Sequence, residues 1–373
     1  MSVAALIAGC GVLRQAQDDT QLPIGATGAM PHSRAIGTRA ERHFAYVVNT
    51  LSTSVSAYAI SASDGALTPV PGSPFAAGSD SYGVATHPAG FVYVTNAYSN
   101  DVSGFSINAR TGALTQVQGS PFTAGSWPTG IAIDPSGRFA YVTNYGSNDV
   151  SVYAIDASSG ALMQVSGSPF AAGSGPQGVA IDPTGKFAYV VNSFSANVSA
   201  YAVDLSTGTL TQVQGSPFAA GDEPYEIAID PKRNFAYVPN YLSYDVSAYK
   251  IDARSGALKQ VHGSPFATGG YPFGVTIDPE GKFAYVVNEG SNAVYGYAIN
   301  ARSGALTQVK GSPFKAGRGP LLMAIDPAGF AYVTNQGSGN VSAYAINTGS
   351  GALKKVQGSP FKAGTSSFGV AIW

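Results

Sequence analysis

The sequence predicts an all-β protein, a seven-bladed β-propeller of four-stranded antiparallel blades. Three observations carry that prediction. Tyr-Val-x-Asn recurs at Tyr46–Asn49, Tyr93–Asn96, Tyr141–Asn144, Tyr189–Asn192, Tyr237–Asn240, Tyr285–Asn288 and Tyr332–Asn335, always 47 or 48 residues apart. Gly-Ser-Pro-Phe also occurs seven times, from Gly72–Phe75 to Gly358–Phe361. Each period holds several short strand patterns and no helical one, as a propeller blade requires.

The copy at residues 178–218 shows the elements in order. Gly178–Ile181 is short and rich in small residues, which suits the crowded centre of a ring. Asp182-Pro183-Thr184-Gly185 then turns the chain. Phe187–Asn192 is aromatic and β-branched, and apolar on both faces, as a strand covered by two neighbouring blades must be. Asn197–Asp204 alternates Val, Ala, Ala and Val with Ser and Tyr. After Ser206-Thr207-Gly208 comes Leu210–Val213, where Thr and Gln discourage pairing at an outer edge.

The chain ends on a phase shift. Arg42-His43-Phe44 stands where later copies read Gly-Lys-Phe, so the first repeat begins at its second strand. The missing inner strand reappears as Phe368–Trp373, FGVAIW. Its pairing beside Phe44–Asn49 is predicted to close the ring and remove a free sheet edge. The propeller therefore spans residues 42–373. Residues 1–41 stand outside the repeat. Leu6-Ile7-Ala8-Gly9-Cys10 resembles the lipobox of bacterial lipoproteins, which makes Cys10 a candidate for lipidation and residues 1–10 a shortened lipoprotein-type signal. A start codon lying upstream of Met1 would account for the short apolar run; the alternative is a small-residue N-terminus with an incidental cysteine. Residues 11–41 read as a flexible tether. This arrangement predicts an exported protein, periplasmic or at the cell surface, that meets a membrane only through a lipid anchor.

Composition excludes several function classes. Charged residues make up 11% of the chain, and 20 basic against 21 acidic side chains leave a net charge of −1. Nucleic-acid binding needs clustered Lys and Arg, so no nucleic-acid partner is expected. One cysteine rules out an internal disulfide. Four scattered histidines, His32, His43, His87 and His262, offer neither a Ser-His-Asp arrangement nor a zinc site, and no phosphate-cradling loop is present. No metal and no cofactor are expected. A monomer is.

The Tyr-Val-Thr-Asn signature, the Asp/His-Pro-x-Gly turn before it and the Thr/Ser-Gly-Ala-Leu turn after the third strand resemble the lactonase-like seven-bladed propellers. These are relatives of 6-phosphogluconolactonase and of the wider YVTN-repeat group. The likeness spans residues 42–373 and rests on motifs that build blades. It implies the propeller fold and a lactonase-like activity.

In a propeller of this strand order, the loops after Tyr-Val-x-Asn and those before the inner strand share one face. A ligand site is expected at the channel mouth on that face, where single copies depart from the repeat. The clearest departure is Asp222-Glu223-Pro224-Tyr225-Glu226, in which Glu226 replaces the glycine that opens the inner strand. The same copy has Pro239 within its signature and the aromatic, acidic loop Tyr241–Asp245. Arg318 and Leu322 mark a second departure. Glu226 is the candidate general base toward water, and Arg318 the candidate to steady an oxyanion. Tyr82, Trp127, Glu223, Tyr225, Tyr271 and Phe273 are the candidate ligand-binding residues, their aromatic area suiting a sugar or lactone ring. The structural alternative for Glu226 is a channel water or a neighbouring partner. The seven asparagines of the signature are expected to bond loop backbone, since sevenfold repetition is the opposite of a unique site.

Two functions follow. One is a lactonase-like hydrolase acting on a carbohydrate-type lactone outside the cytoplasm, its small-molecule or carbohydrate ligand held at the channel mouth. The other is a non-catalytic, lipid-tethered binding or scaffold propeller for glycans, peptides or a protein partner. Convergence of the polar departures on one spot would favour the first.

Overall fold

The computed structural model describes residues 43–373, so Cys10, the signal and the tether lie outside the described residues. Seven antiparallel sheets are formed, one per repeat. Blades 1 to 7 are numbered by their second strands: Phe44–Asn49, Phe91–Asn96, Phe139–Asn144, Phe187–Asn192, Phe235–Asn240, Phe283–Asn288 and Phe330–Asn335. The inner strand of blade 1 is Ser367–Ile372, which pairs antiparallel with Phe44–Asn49 through Ala45–Ile372, Tyr46–Ala371, Val47–Val370 and Asn49–Ser367. Trp373 and Phe44 exchange backbone hydrogen bonds of 2.9 and 2.8 Å beyond the last pair. The predicted closure is present, and Thr334 of blade 7 reinforces it by donating to the Phe368 carbonyl at 2.5 Å.

Repeated side chains explain why the blades stack at a fixed spacing. The signature tyrosine of each blade except blade 3 donates to a glycine carbonyl of the following blade: Tyr189 to Gly256 and Tyr237 to Gly304, both at 2.9 Å, and Tyr332 to Gly65 across the seam. Tyrosines on the third strand reach back the other way, as Tyr201 does to Ala171 and Tyr249 to Ala219. Each blade is held from both sides. Those turn glycines have positive φ and lie under the second-strand phenylalanine of the preceding blade; a Cβ on Gly256 would sit 2.3 Å from the Phe187 ring. Second strands are buried at nearly every residue, because each is walled in by two neighbours.

Gly-Ser-Pro-Phe also has a structural role. The outer edge of each third strand pairs first with a three-residue fourth strand, then with a two-residue segment such as Phe170–Ala171. Between the two lies a cis Ser-Pro turn, cis in all seven copies. The serine hydroxyl accepts the third-strand N–H left over in the gap, Val152 to Ser168 at 2.9 Å and equivalently in every blade. The fifth segment was not legible as a strand because Phe-Ala is too short to show a period. One turn of 3-10 helix, Gln336–Ser338, also departs from the helix-free expectation.

Candidate functional site

The face predicted to hold the site is a sevenfold scaffold carrying unlike side chains. The residue two before each inner-strand motif adopts a left-handed conformation in all blades: Asp80, Trp127, Gly175, Glu223, Tyr271, Gly319 and Ser366, with φ between 49° and 65°. Each carbonyl there accepts the N–H of the residue following the signature asparagine, as in Trp127 to Tyr145 and Glu223 to Tyr241. The asparagine fixes the same loop, its Oδ1 accepting Gly173 N at 3.1 Å in blade 4 and Gly221 N at 3.0 Å in blade 5. Non-glycine residues tolerate this conformation at about 1 kcal/mol each. The scaffold thus displays two variable positions per blade around the axis.

Beneath them, one residue per inner strand turns inward: Phe368, Tyr82, Thr129, Gln177, Tyr225, Phe273 and Leu321, all buried. Aromatic rings meet here across the axis. Phe273 lies 5.8 Å from Phe368 two blades away, Tyr82 5.0 Å from Phe368, and Tyr225 stacks on Phe273 at 4.9 Å. The channel mouth is therefore a closed floor, not an open depression, and Tyr82, Tyr225 and Phe273 form it. Tyr225 continues outward to Tyr241 at 5.1 Å, then Tyr271 at 4.9 Å, which is 39% exposed, then Tyr244. Across the face, Tyr145 and Phe194 pair at 5.3 Å, with Phe194 64% exposed.

Carboxylates are threaded among these rings. Tyr225 donates its hydroxyl to Glu223 Oε2 at 3.1 Å, and Tyr241 donates to Glu289 Oε2 at 2.8 Å. Burial and then the neighbouring carboxylates push the hydroxyls of Tyr82, Tyr225 and Tyr241 far above their ordinary value, so each stays a donor. Tyr145 is raised by burial and by Glu223. Burial raises the Asp80 carboxyl, against a hydrogen bond from Tyr82 that lowers it.

One sector of the floor is polar. Thr129 spends its hydroxyl on its surroundings, accepting or donating at Thr143 and donating to the Pro176 carbonyl at 3.2 Å. Gln177 beside it is 0% exposed, and neither its Nε2 nor its Oε1 has a hydrogen-bond partner. Trp127, packed against the same floor, has an Nε1 that is likewise sealed and unpartnered. Buried amides without partners cost on the order of 1–3 kcal/mol each, so this sector is built at the expense of stability.

The expected acid–base pair is placed differently. Glu226 is 1% exposed, buried two residues before the inner strand of blade 5. Arg318 is exposed on blade 7, its Nε and one terminal nitrogen donating to the Gly337 carbonyl of the same blade at 3.1 and 2.7 Å. No hydrogen bond among the described residues joins the two. What the structure does bring together is Glu223, Tyr225 and Tyr271 with Tyr145, Tyr241 and Glu289, which sequence reasoning did not single out as site residues. Among the described residues, no group of three His, Cys, Asp or Glu side chains is placed to hold a metal ion.

A separate groove of about 620 Å³ follows the closure seam, lined by Ser52, Lys362, Ser366 and the 3-10 turn. Blade 7 has Gly339 there, where Asn100, Asn148 and Asn292 of other blades bond the next blade's loop. No aromatic or carboxylate side chain lines the groove.

The family described as lactonase, 7-bladed beta-propeller, matches this sequence over residues 32–169, 164–319 and 217–368. No curated protein matches it. Among solved structures, it is similar to a Bacteroides fragilis protein provisionally named a 6-phosphogluconolactonase, at 17% identity and a TM-score of 0.79, covering 90% of this chain and 99% of that one. A periplasmic gluconolactonase of Pseudomonas aeruginosa is similar at 19% identity and a TM-score of 0.74, covering 89% and 98%. A Lactobacillus plantarum protein is similar at 21% identity and a TM-score of 0.74, covering 89% and 99%. At these identities the likeness is one of fold.

Proposed function

Starting from the fact that the chain belongs to the seven-bladed lactonase propeller family, we propose that it hydrolyses a carbohydrate-type lactone at the polar sector of its axial floor. The observation that carries this reading is the pair of sealed, unpartnered N–H groups, Gln177 Nε2 and Trp127 Nε1, on the face that also carries Glu223. Ester hydrolysis needs those parts: donors where negative charge develops and a base for water. Water adds to the lactone carbonyl as Glu223 takes its proton, and Gln177 and Trp127, covered in the unliganded floor, hold the oxyanion once the rings over them part. The ring C–O bond then breaks, the leaving oxygen takes up the proton, and a hydroxy acid departs. Glu223, half-buried at the rim with Tyr225 donating to its carboxylate, takes the place of Glu226 as base, and the two N–H groups take the place of Arg318, whose guanidinium is occupied by Gly337. Tyr145, Tyr225 and Tyr271 supply ring faces and hydroxyls for the sugar-like body.

Export belongs to the same proposal. The Leu6–Cys10 string and the likeness to a periplasmic gluconolactonase support it, with Cys10 as lipid anchor. Expressed in a bacterium, the protein should partition into detergent and lose this in Cys10→Ser.

The activity test is turnover of a panel of sugar lactones by wild type and Glu223→Gln. The variant should lose about 100-fold in kcat, the usual size of a general-base contribution, while KM changes little. A binding propeller without chemistry is the second reading. It is favoured by the closed aromatic floor and by the exposed Leu51, Tyr98, Phe194 and Leu242 around it. Full activity in Glu223→Gln removes the proposed mechanism; no turnover of any lactone by wild type selects the binding propeller.

A further inference from the structure

The structures similar to this chain carry two substrate names, one phosphorylated and one not. The charge of the site face distinguishes between them. The fourteen loop segments that build it, two per blade, contain Asp80, Asp222, Glu223 and Glu289 against a single cation, Arg318. That cation is turned onto the Gly337 carbonyl of its own blade. Three of the four carboxylates stand among the tyrosines: Glu223 at Tyr225, Glu289 at Tyr241, and Asp80 at Tyr82. A phosphate dianion brought onto this floor would meet like charge from blades 2, 5 and 6, while the one cation of those segments is held on Gly337. An uncharged polyol finds tyrosine hydroxyls and ring faces instead.

Resting on the lactonase reading above, we propose that the site takes unphosphorylated, uncharged lactones and excludes phosphorylated ones, with Asp80 and Glu289 as specificity-determining residues. Neither touches the reacting atoms. They act by repulsion, and repulsion between partly solvated charges is screened by salt.

The test compares gluconolactone with 6-phosphogluconolactone, each corrected for its uncatalysed hydrolysis, at low and high ionic strength. Wild type should favour gluconolactone by about 100-fold in kcat/KM at low salt, and the gap should narrow as salt is raised. In Asp80→Asn/Glu289→Gln the gap should shrink about tenfold, through KM for the phosphorylated substrate, with kcat on gluconolactone kept. A purely structural role for these carboxylates would lower both substrates together. Equal or better use of 6-phosphogluconolactone by wild type, or a preference insensitive to salt, overturns this inference and leaves the lactonase reading standing. Turnover of neither lactone removes both. The salt series needs only wild type, so the outcome holds even if the double variant fails to fold.

Discussion

Blade 4 runs its inner strand over Pro176–Ile181, whereas blade 5, one repeat on, keeps only Ala228–Ile229 and an isolated bridge from Pro224 to Asn240. Two residues explain the loss. Glu226 puts a side chain where blades 2, 3 and 6 have glycine, and a Cβ on those glycines would meet the next blade's carbonyl at 2.4–2.5 Å. Pro239 brings no N–H to the ladder at the same level. Yet both blades keep the forward tyrosine, the backward tyrosine, the asparagine and the serine hydroxyl bond. The framework that sets blade spacing is thus independent of the axial end, and the axial end is where side chains are free to differ.

The strongest way to break that comparison is to attack the shared framework. Gly256 has φ of +74° under Phe187, and Gly304 has +75° under Phe235. Alanine at either site adds left-handed strain and an overpacked ring, together about 2–4 kcal/mol. Both variants should lower the unfolding midpoint by the same amount, though one reports the blade 4–5 contact and the other the contact between blades 5 and 6. Gly185→Ala, with the same φ but its nearest neighbour at 3.5 Å, should cost about 1 kcal/mol. Unequal losses at Gly256 and Gly304 would mean that the irregular inner strand weakens its own blade's packing.

A finer probe uses the signature tyrosines. Tyr189→Phe and Tyr237→Phe each strand a buried carbonyl and should cost about 1–2 kcal/mol. Tyr141, whose hydroxyl has no partner in blade 3, is the internal control, and its phenylalanine variant should stay within about 0.5 kcal/mol of wild type. Chemical denaturation of the three variants decides the point. A cost at Tyr141 equal to the others would show that ring burial, not the bond, is being measured.

Restoring the repeat at the axial end should act in the opposite direction. Glu226→Gly restores the repeat's glycine and frees the inner strand of blade 5 to pair, so the midpoint should rise by about 0.5–2 kcal/mol, as repeat-restoring substitutions commonly do. A fall would show that Glu226 holds the strand in place. The framework was legible from the sequence because its residues recur at fixed spacing: Phe187–Asn192, the asparagines and the closing strand all stand where the period put them. The site was only half legible. Glu223, Tyr225 and Tyr271 break a pattern and so stood out. The position after the asparagine has no pattern to break, since it reads Thr50, Ala97, Tyr145, Ser193, Tyr241, Glu289 and Gln336 in turn. Gln177 looked ordinary because only the ring geometry reveals that its amide ends in a closed floor. The serine of Gly-Ser-Pro-Phe recurs perfectly, but its partner, an N–H sixteen residues earlier, is fixed by a turn that periodicity does not describe.

The smallest effect separates the two faces of the ring by pH. Asp80, on the site face, has its carboxyl raised above the ordinary 3.8 by burial, partly opposed by Tyr82. Asp156, in the turn on the opposite face, is lowered to about 2, first by the Ser158 hydroxyl and then by the backbone N–H groups of Ser158 and Ser159. The signs are opposite. A raised acid binds its proton more tightly in the folded state, so its contribution is full below 3.8 and is lost as pH rises through the raised value. A lowered acid contributes above 3.8 and loses that contribution as pH falls toward 2. Asp80→Asn should therefore match wild type in acid and gain on it as pH climbs toward neutrality. Asp156→Asn should trail wild type at neutral pH and converge with it in acid. Both effects on stability are small, because both groups reach solvent, and thermal midpoints taken from pH 3 to 7 against wild type resolve their slopes. Slopes of the same sign would mean that the site face relaxes around a charged Asp80 instead of bearing its cost, and the contrast between a strained axial end and a relaxed framework would then fail at that residue.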